Sequence, residues 1–372
     1  MRFSIDIQTL KAAIEVTSHA TTNSNLTPIL ENILIDVQYK KVILTGNNLE
    51  MAIEYTIEKD IDIESEGKFT ISSKFLTSFM ALQQWKRIKI ELETGNSLKF
   101  TTDSWETRFK WVSAEKYPVI PRFTGNTPLR IRWKDIRVAI EKTILSTAEG
   151  NIRPMLAGIY IRTQKDTIVF ASTDSFRLSE FRILWHESIE NTGIIIPEKT
   201  AIELARIIED NNSYVELYIH ENQLMVAYES IKLSSRLLSG RFPDYEWFFP
   251  KKYNTKWVIL RTDLMNATKQ INLVARENNY NTRFRFDLNG KLELSTGDTE
   301  IWASTAHLAT SVEWQEGTIG LNSQYLLEVL SVIKEDYVSI DFETPLSPIV
   351  IKWVPEETKE YGYRHLIMPL KI

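Results

Sequence analysis

Three hundred and seventy-two residues exceed one ordinary domain, and roughly 150 residues per domain gives two to three of them. A hydrophobic share of 43% and a charged share of 25% are globular values, which excludes disorder as the main state. A net charge of −5 excludes a basic, nucleic-acid-coating protein, and the lack of cysteine excludes disulfides, thiolate nucleophiles and cysteine-held metals.

Taken in chain order, the first helical pattern covers residues 6–19. Its neighbourhood shows no secretory signal, because Asp6 interrupts Met1-Arg2-Phe3-Ser4-Ile5 before any apolar run develops. Alternating strands follow at 32–37 and 41–45. A β-like run at 68–71 leads into a second helical pattern, and a hairpin at 88–92 and 97–101 turns through Thr94-Gly95-Asn96. The Pro-bearing stretch 115–128 reads as a joint. The same plan then returns. A helix at 134–148 precedes alternating strands at 158–163 and 167–172, a run at 193–196, a helix from Pro197 and a hairpin at 215–219 and 223–228. A second joint covers 240–256. The last third offers a helix at 262–277, a run at 318–321, a helix from Asn322 and a hairpin at 338–342 and 349–353, joined through Pro345 and Pro348. No stretch approaches about 18 consecutive apolar residues, so no membrane span is expected, and the expected compartment is the cytoplasm.

The repeat has a period near 125. Ser72-Ser73-Lys74-Phe75-Leu76, Pro197-Glu198-Lys199-Thr200-Ala201 and Asn322-Ser323-Gln324-Tyr325-Leu326 stand in register. Apolar or small residues recur at Phe75/Thr200/Tyr325, Leu76/Ala201/Leu326, Phe79/Leu204/Val329 and Met80/Ala205/Leu330, which is one helical stripe. Tyr117-Pro118 and Phe242-Pro243 lie 125 apart as well. The expected fold is α+β in three tandem domains, 1–124, 125–252 and 253–372, each with two helices packed on antiparallel sheets.

Catalytic signals are poor. Neither phosphate-binding glycine loop, zinc-protease motif nor nucleophile elbow is present, and the five histidines show no i, i+4 pair. No catalytic residue, metal or cofactor is expected. Asp174 reads as a turn residue whose carboxylate accepts backbone N–H bonds. The ten tryptophans read mostly as core or interface anchors. Phe109-Lys110-Trp111 is the one run that suggests base stacking.

Five segments in register then resemble the bacterial DNA sliding clamp, the beta subunit of DNA polymerase III holoenzyme. They are Leu26-Thr27-Pro28-Ile29-Leu30 continued by Leu44-Thr45-Gly46-Asn47-Asn48-Leu49, Arg153-Pro154-Met155-Leu156-Ala157-Gly158, Ser172-Thr173-Asp174-Ser175-Phe176-Arg177-Leu178, Gly240-Arg241-Phe242-Pro243-Asp244-Tyr245, and the ending Leu366-Ile367-Met368-Pro369-Leu370-Lys371. The resemblance spans the whole chain. It implies a non-catalytic processivity factor, two copies of which close head to tail into a six-domain ring around duplex DNA. Phe109 and Trp111 of one subunit would meet Leu273 and Val274 of the other.

The resemblance also implies a pocket for peptide motifs of the replicative polymerase, the clamp loader and repair proteins. By position its residues are Leu156, Thr173, Ser175, Phe176, Arg177, Leu178, Pro243, Trp247, Phe248, Leu346, Pro348, Leu366, Ile367, Met368, Pro369 and Leu370. Ser175-Phe176 stands where the family usually has glycine and a polar residue, and Trp247 where it often has arginine, so a narrower or more aromatic pocket is expected. The DNA-contact positions are Ser24, Ser73, Gly150, Pro154 and Met155, with Lys74, Arg153 and Lys199 as nearby cations for phosphates. Two of these positions are often arginine in the family and are serine here. The six helical patterns show no basic excess, so a positive lining depends on which faces carry the charges. Two other readings stay open: a triplicated peptide-binding scaffold that never encircles DNA, and a hydrolase around Asp174 and His365.

Overall fold

A computed structural model of the chain describes residues 1–22, 27–120, 128–150, 153–189, 192–208, 213–296, 305–313, 316–355 and 361–371. Six α-helices occur among them: α1 (Ile7–Ser18), α2 (Ser73–Ala81), α3 (Trp133–Thr143), α4 (Glu198–Ile207), α5 (Arg261–Ala275) and α6 (Ser323–Val332). Local chemistry sets where they begin. Asp6 Oδ1 accepts the Thr9 amide at 3.0 Å, Ser72 Oγ accepts the Phe75 amide at 3.4 Å, and Asn322 Oδ1 accepts the amides of Gln324 and Tyr325 at 2.9 and 3.2 Å. Each satisfies an amide that lacks a partner inside its own helix. Ser72 and Asn322 are thus N-caps at equivalent places in the repeat, whereas Pro197 ends the strand Gly193–Pro197 and Glu198 opens α4.

Two helices stop short of the expected bounds. After α3 the chain tightens into a 3-10 turn at Ile144–Ser146, and after α5 into another at Arg276–Asn278. Near the end of α3, Thr143 Oγ1 donates to the Ala139 carbonyl at 2.7 Å, a back-bond that competes with helical continuation. The helical stripe is confirmed at Leu76 and Met80, Ala201 and Leu204, and Leu326 and Leu330, all buried. Phe75 departs from it. Its ring is 40% exposed and lies 4.6 Å from the Phe109 ring, on the outside of the helix.

The described chain forms two compact units, Met1–Lys134 with Arg206–Leu237, and Asp135–Ala205 with Leu238–Ile372. Neither matches a third of the sequence, because strands from consecutive thirds share sheets. The first unit holds a five-stranded sheet, in the order Ile61–Ser65, Arg2–Asp6, Arg87–Glu93, Ser97–Thr101, Glu106–Lys110. Its eight-stranded sheet joins two sets where Met51–Ile57 pairs antiparallel with Ile231–Arg236. Buried Phe3, Ile5, Leu10, Leu44, Phe69 and Phe100 fill its core. Each such side chain contributes roughly 1.5–3 kcal/mol relative to exposure.

The second unit also has an eight-stranded sheet, joined where Arg177–Ile189 pairs with Tyr361–Ile367. Its four-stranded sheet runs Thr305–Ala309, Lys291–Thr296, Asn281–Phe286, Gly317–Asn322. Trp257 packs edge-on against Phe286 and Phe342 in its core, with centroids 3.9 and 5.4 Å away.

The two strands expected at 158–163 and 167–172 belong to one extended element, Gly158–Thr173. Its first part pairs with Gly193–Pro197 and its second with the strand that begins at Arg177. The register shifts between Lys165 and Thr167. Gly158, at the end of the Arg153-Pro154 segment, is required by close approach. A Cβ there would lie 2.2 Å from the Ile196 carbonyl oxygen.

Candidate functional site

The second unit contains a cavity of about 390 Å³. Three pieces of chain build it. The first is the turn 173–178. Asp174 Oδ1 accepts the amides of Phe176 and Arg177 at 2.8 and 2.9 Å, and Thr173 Oγ1 donates to the Arg177 carbonyl at 2.7 Å. This holds Ser175 at φ +82° and turns its side chain to Arg153, whose Nη1 donates to Ser175 Oγ at 2.8 Å. The second piece is the Pro243 segment. Phe242 stacks on Tyr160 at 4.7 Å and 7°, which anchors the segment and lets Pro243 and Phe248 face the cavity. The third is the end of the junction strand, where Leu366 pairs across from Leu178. Met368 follows, its amide donating to the Phe176 carbonyl at 2.8 Å.

Leu156, Leu178 and Leu366 are buried and form an apolar floor. The polar lining is Thr173, Ser175 and three arginines, with no carboxylate. Arg177 is neutralised by Asp174, 3.0 Å from its Nε, and by an ion pair with Glu328, and it lies over the Tyr325 ring. Arg241 makes no ion pair among the described residues. The arrangement suits an extended apolar segment with acidic flanks, since leucine-sized anchors fill the hole and guanidinium groups ring it.

Of the expected pocket residues, Leu156, Thr173, Ser175, Arg177, Leu178, Pro243, Phe248, Leu366 and Met368 line the cavity. Trp247 does not. It is 69% exposed and stacks on Phe248 at 3.8 Å, so it extends the aromatic rim outward. Phe176 and Leu346 are exposed off the lining, Pro348, Pro369 and Leu370 are half-buried off it, and Ile367 is buried on the other face of its strand. Arg153 and Met155, expected at DNA, also line this cavity. Arg241, which sequence reasoning did not assign, joins them. Its only signal was its place beside Phe242-Pro243.

The other expected DNA positions differ in exposure. Ser24 lies outside the described residues. Ser73 is buried, because the first turn of α2 faces inward there, and offers no side chain to a ligand. Gly150, Pro154, Lys74 and Lys199 are exposed. Across the six helices the exposed cations are Lys74, Lys134, Lys199, Arg206 and Lys269, against exposed acids Glu15 and Asp263. The observed helices hold nine cations against seven acids, and burial and pairing of Asp135 with partial burial of Glu141, Glu198, Glu203 and Glu328 leave the exposed balance more basic still.

Phe109 and Trp111 are half-buried at the edge of the five-stranded sheet. Phe109 rests on Phe79 and Phe100, 5.0 and 5.2 Å away, and the Trp111 indole N–H is buried with no acceptor among the described residues. Leu273 on α5 is 80% exposed and Val274 half-buried.

A hydrolytic site around Asp174 and His365 is not formed. The Asp174 oxygens are spent on the turn and Arg177. His365 is fully buried, with Nδ1 2.8 Å from Ser179 Oγ, and burial pushes its pKa down from 6.5 to about 3. This has a consequence for acid stability. Between those values the unfolded chain binds a proton that the folded chain refuses. The contribution of His365 is therefore intact above pH 6.5 and is lost as pH falls toward 3, at up to about 1.4 kcal/mol per pH unit. Urea unfolding at pH 7 and pH 5 should show a smaller loss for His365→Asn than for the unsubstituted chain. Equal losses would rule this histidine out as the cause.

The repeated two-helix unit, with its antiparallel sheets joined end to end and its apolar cavity beside a junction, defines the DNA-clamp class. Family models of the DNA polymerase III beta subunit match in order: the N-terminal domain over residues 1–121, the central domain over 130–244 and the C-terminal domain over 247–371. The chain belongs to the DNA polymerase III beta subunit family. As a member of that family it is a sliding-clamp processivity subunit and not a catalyst.

Among relatives, the beta sliding clamp of Staphylococcus epidermidis is 27% identical, with 100% of this chain and 99% of that protein covered, and that of Staphylococcus aureus 26%, with the same coverage. The beta subunit from Streptococcus pyogenes DNA polymerase superposes with a TM-score of 0.95 at 24% identity, covering 100% of both chains. The Bacillus subtilis sliding clamp does so with 0.95 at 22%, covering 100% of this chain and 99% of that one. No helix among the described residues is long and apolar enough to cross a membrane.

Proposed function

We propose that this chain acts in the cytoplasm as half of a head-to-tail homodimeric ring. The ring encircles duplex DNA and holds the replicative polymerase, the clamp loader and repair proteins by peptide motifs in the 390 Å³ cavity. The domains of this reading are 1–124, 125–252 and 253–372.

The observation that carries it is the junction rule. Met51–Ile57 pairs antiparallel with Ile231–Arg236, and the strand from Arg177 pairs in the same way with Tyr361–Ile367. By repeat position the next strand of the first kind is Thr305–Ala309, and the first strand of the second kind is Glu106–Lys110. Both are outer strands of their sheets, with no partner on one side among the described residues. An exposed strand edge invites pairing. One more junction of the same type, made by a second copy at each end, closes the set with two-fold symmetry. Phe109 and Trp111 lie on or beside one of these edges, and the unsatisfied indole N–H of Trp111 gains a route to an acceptor there.

The five exposed helix cations against two acids fit loose, non-specific phosphate contact. Retention by topology needs little more. Loaded on circular DNA, the protein is expected to stay bound in moderate salt and to leave once the circle is cut. Equal retention on circular and linear DNA would contradict encirclement and favour the peptide-binding scaffold.

A further inference from the structure

The three pieces that build the cavity of the second unit all have counterparts in the first. Turn 47–52 stands for turn 173–178, Pro118 for Pro243, and residues 234–236 for 366–368. The pairing is equivalent too: Ala52 lies across from Ser234 as Leu178 does from Leu366, and Met51 across from Ser235 as Arg177 does from Ile367. Leu49, at φ +72°, repeats the left-handed backbone of Ser175 at φ +82°. These counterparts also surround a cavity, of about 130 Å³.

We propose that this cavity is a second, quasi-equivalent peptide site, taking an extended segment of a partner protein that carries one aliphatic side chain next to a carboxylate. The inference rests on reading the larger cavity as a peptide site. A third of the volume leaves room for one anchor rather than two. Ser234 replaces Leu366 of the apolar floor and Ser235 also lines the cavity, so the floor is too polar for a second apolar side chain. Leu49, 48% exposed, and Val119, 91% exposed, leave aliphatic surface open at the mouth.

Arg236 takes the place of Met368. It is exposed and makes no ion pair among the described residues, so its guanidinium is available to a carboxylate. Glu50 shares the wall. Its carbonyl accepts the Arg236 amide at 2.9 Å, while its carboxylate makes no ion pair with Arg236. That second charge repels a further acid and limits the segment to one.

Methionine methyl groups separate the two sites, since Met51 lines the smaller cavity and Met155 and Met368 the larger. The full chain, labelled at its methionine methyls, is titrated with a blocked Gly-Ser-Leu-Asp-Gly-Ser peptide and followed by NMR. Met51 is expected to shift saturably, with a Kd on the order of 1 mM for a single anchor. Replacing the peptide aspartate by asparagine, or Arg236→Gln in the protein, should weaken that response roughly three- to tenfold. A silent Met51, or one that responds equally to the aspartate and asparagine peptides, overturns the proposal. A peptide with two anchors, leucine and phenylalanine, tests the larger cavity through Met155 and Met368, so a failure there is read apart from a failure at Met51.

Discussion

Truncation after Ile367 is expected to weaken binding of a leucine- and phenylalanine-bearing peptide by about a hundredfold, the scale of losing a central anchor of about 3 kcal/mol. The dimer should persist. The removed Met368 forms one wall of the cavity, and its amide holds the Phe176 carbonyl at 2.8 Å, so both an apolar contact and the shape of the rim are lost. Leu370, whose amide donates to the Gly320 carbonyl at 2.8 Å, ties the tail down and keeps Met368 in place. Fluorescence anisotropy of a labelled peptide reads the affinity, and sedimentation reads the dimer. Met368→Ala, which keeps the tail, should cost less than the truncation. Unchanged affinity in both variants would remove this cavity as the partner site.

Leu273→Asp is expected to convert the dimer to monomer at micromolar concentration. Leu273 is 80% exposed in the isolated chain, so the substitution adds no charge to a core and the fold should survive. At a closed junction the same carboxylate would replace an apolar contact and be desolvated against Phe109 and Trp111. A penalty of about 3 kcal/mol raises the dimer Kd by roughly a hundredfold. The substitution leaves the Phe79–Phe100–Phe109 cluster untouched, which Phe109→Ala would not. A dimer of unchanged strength by sedimentation would place the contact elsewhere. Retained peptide binding in the monomer would show that the two functions separate.

Much of the fold was legible because it is written three times. The buried stripe of Leu76, Ala201 and Leu326 recurs with one period, and the caps Ser72 and Asn322 mark helix starts by local chemistry alone. The cavity was legible in part. Thr173, Ser175 and Arg177 sit in a turn whose asparagine-like geometry follows from Asp174, and the turn is local. That Arg153, Met155 and Arg241 line the cavity was not legible, because only the meeting of three distant pieces of chain brings them to it. Phe75 was read as core for a similar reason. Helical spacing places it near the stripe, and the neighbouring strand, which supplies Phe109, decides that it stays outside.

The net charge of −5 is a property of composition, and so is the exclusion of a tight, groove-reading DNA binder. The sequence by itself also determined the triplication, the helices and hairpins within each third, and the lack of thiol chemistry, since each depends on residues near one another in the chain. Tertiary structure decided the rest. It set the eight-stranded sheets that join consecutive thirds, the outer places of Glu106–Lys110 and Thr305–Ala309 in their sheets, and the three arginines around one apolar hole. It also left five lysines and arginines but only two acids exposed on the six helices, by drawing most of the acids inward or into half-buried positions. Strand pairing and charge orientation depend on residues tens to hundreds of positions apart, and no local pattern encodes which of them meet.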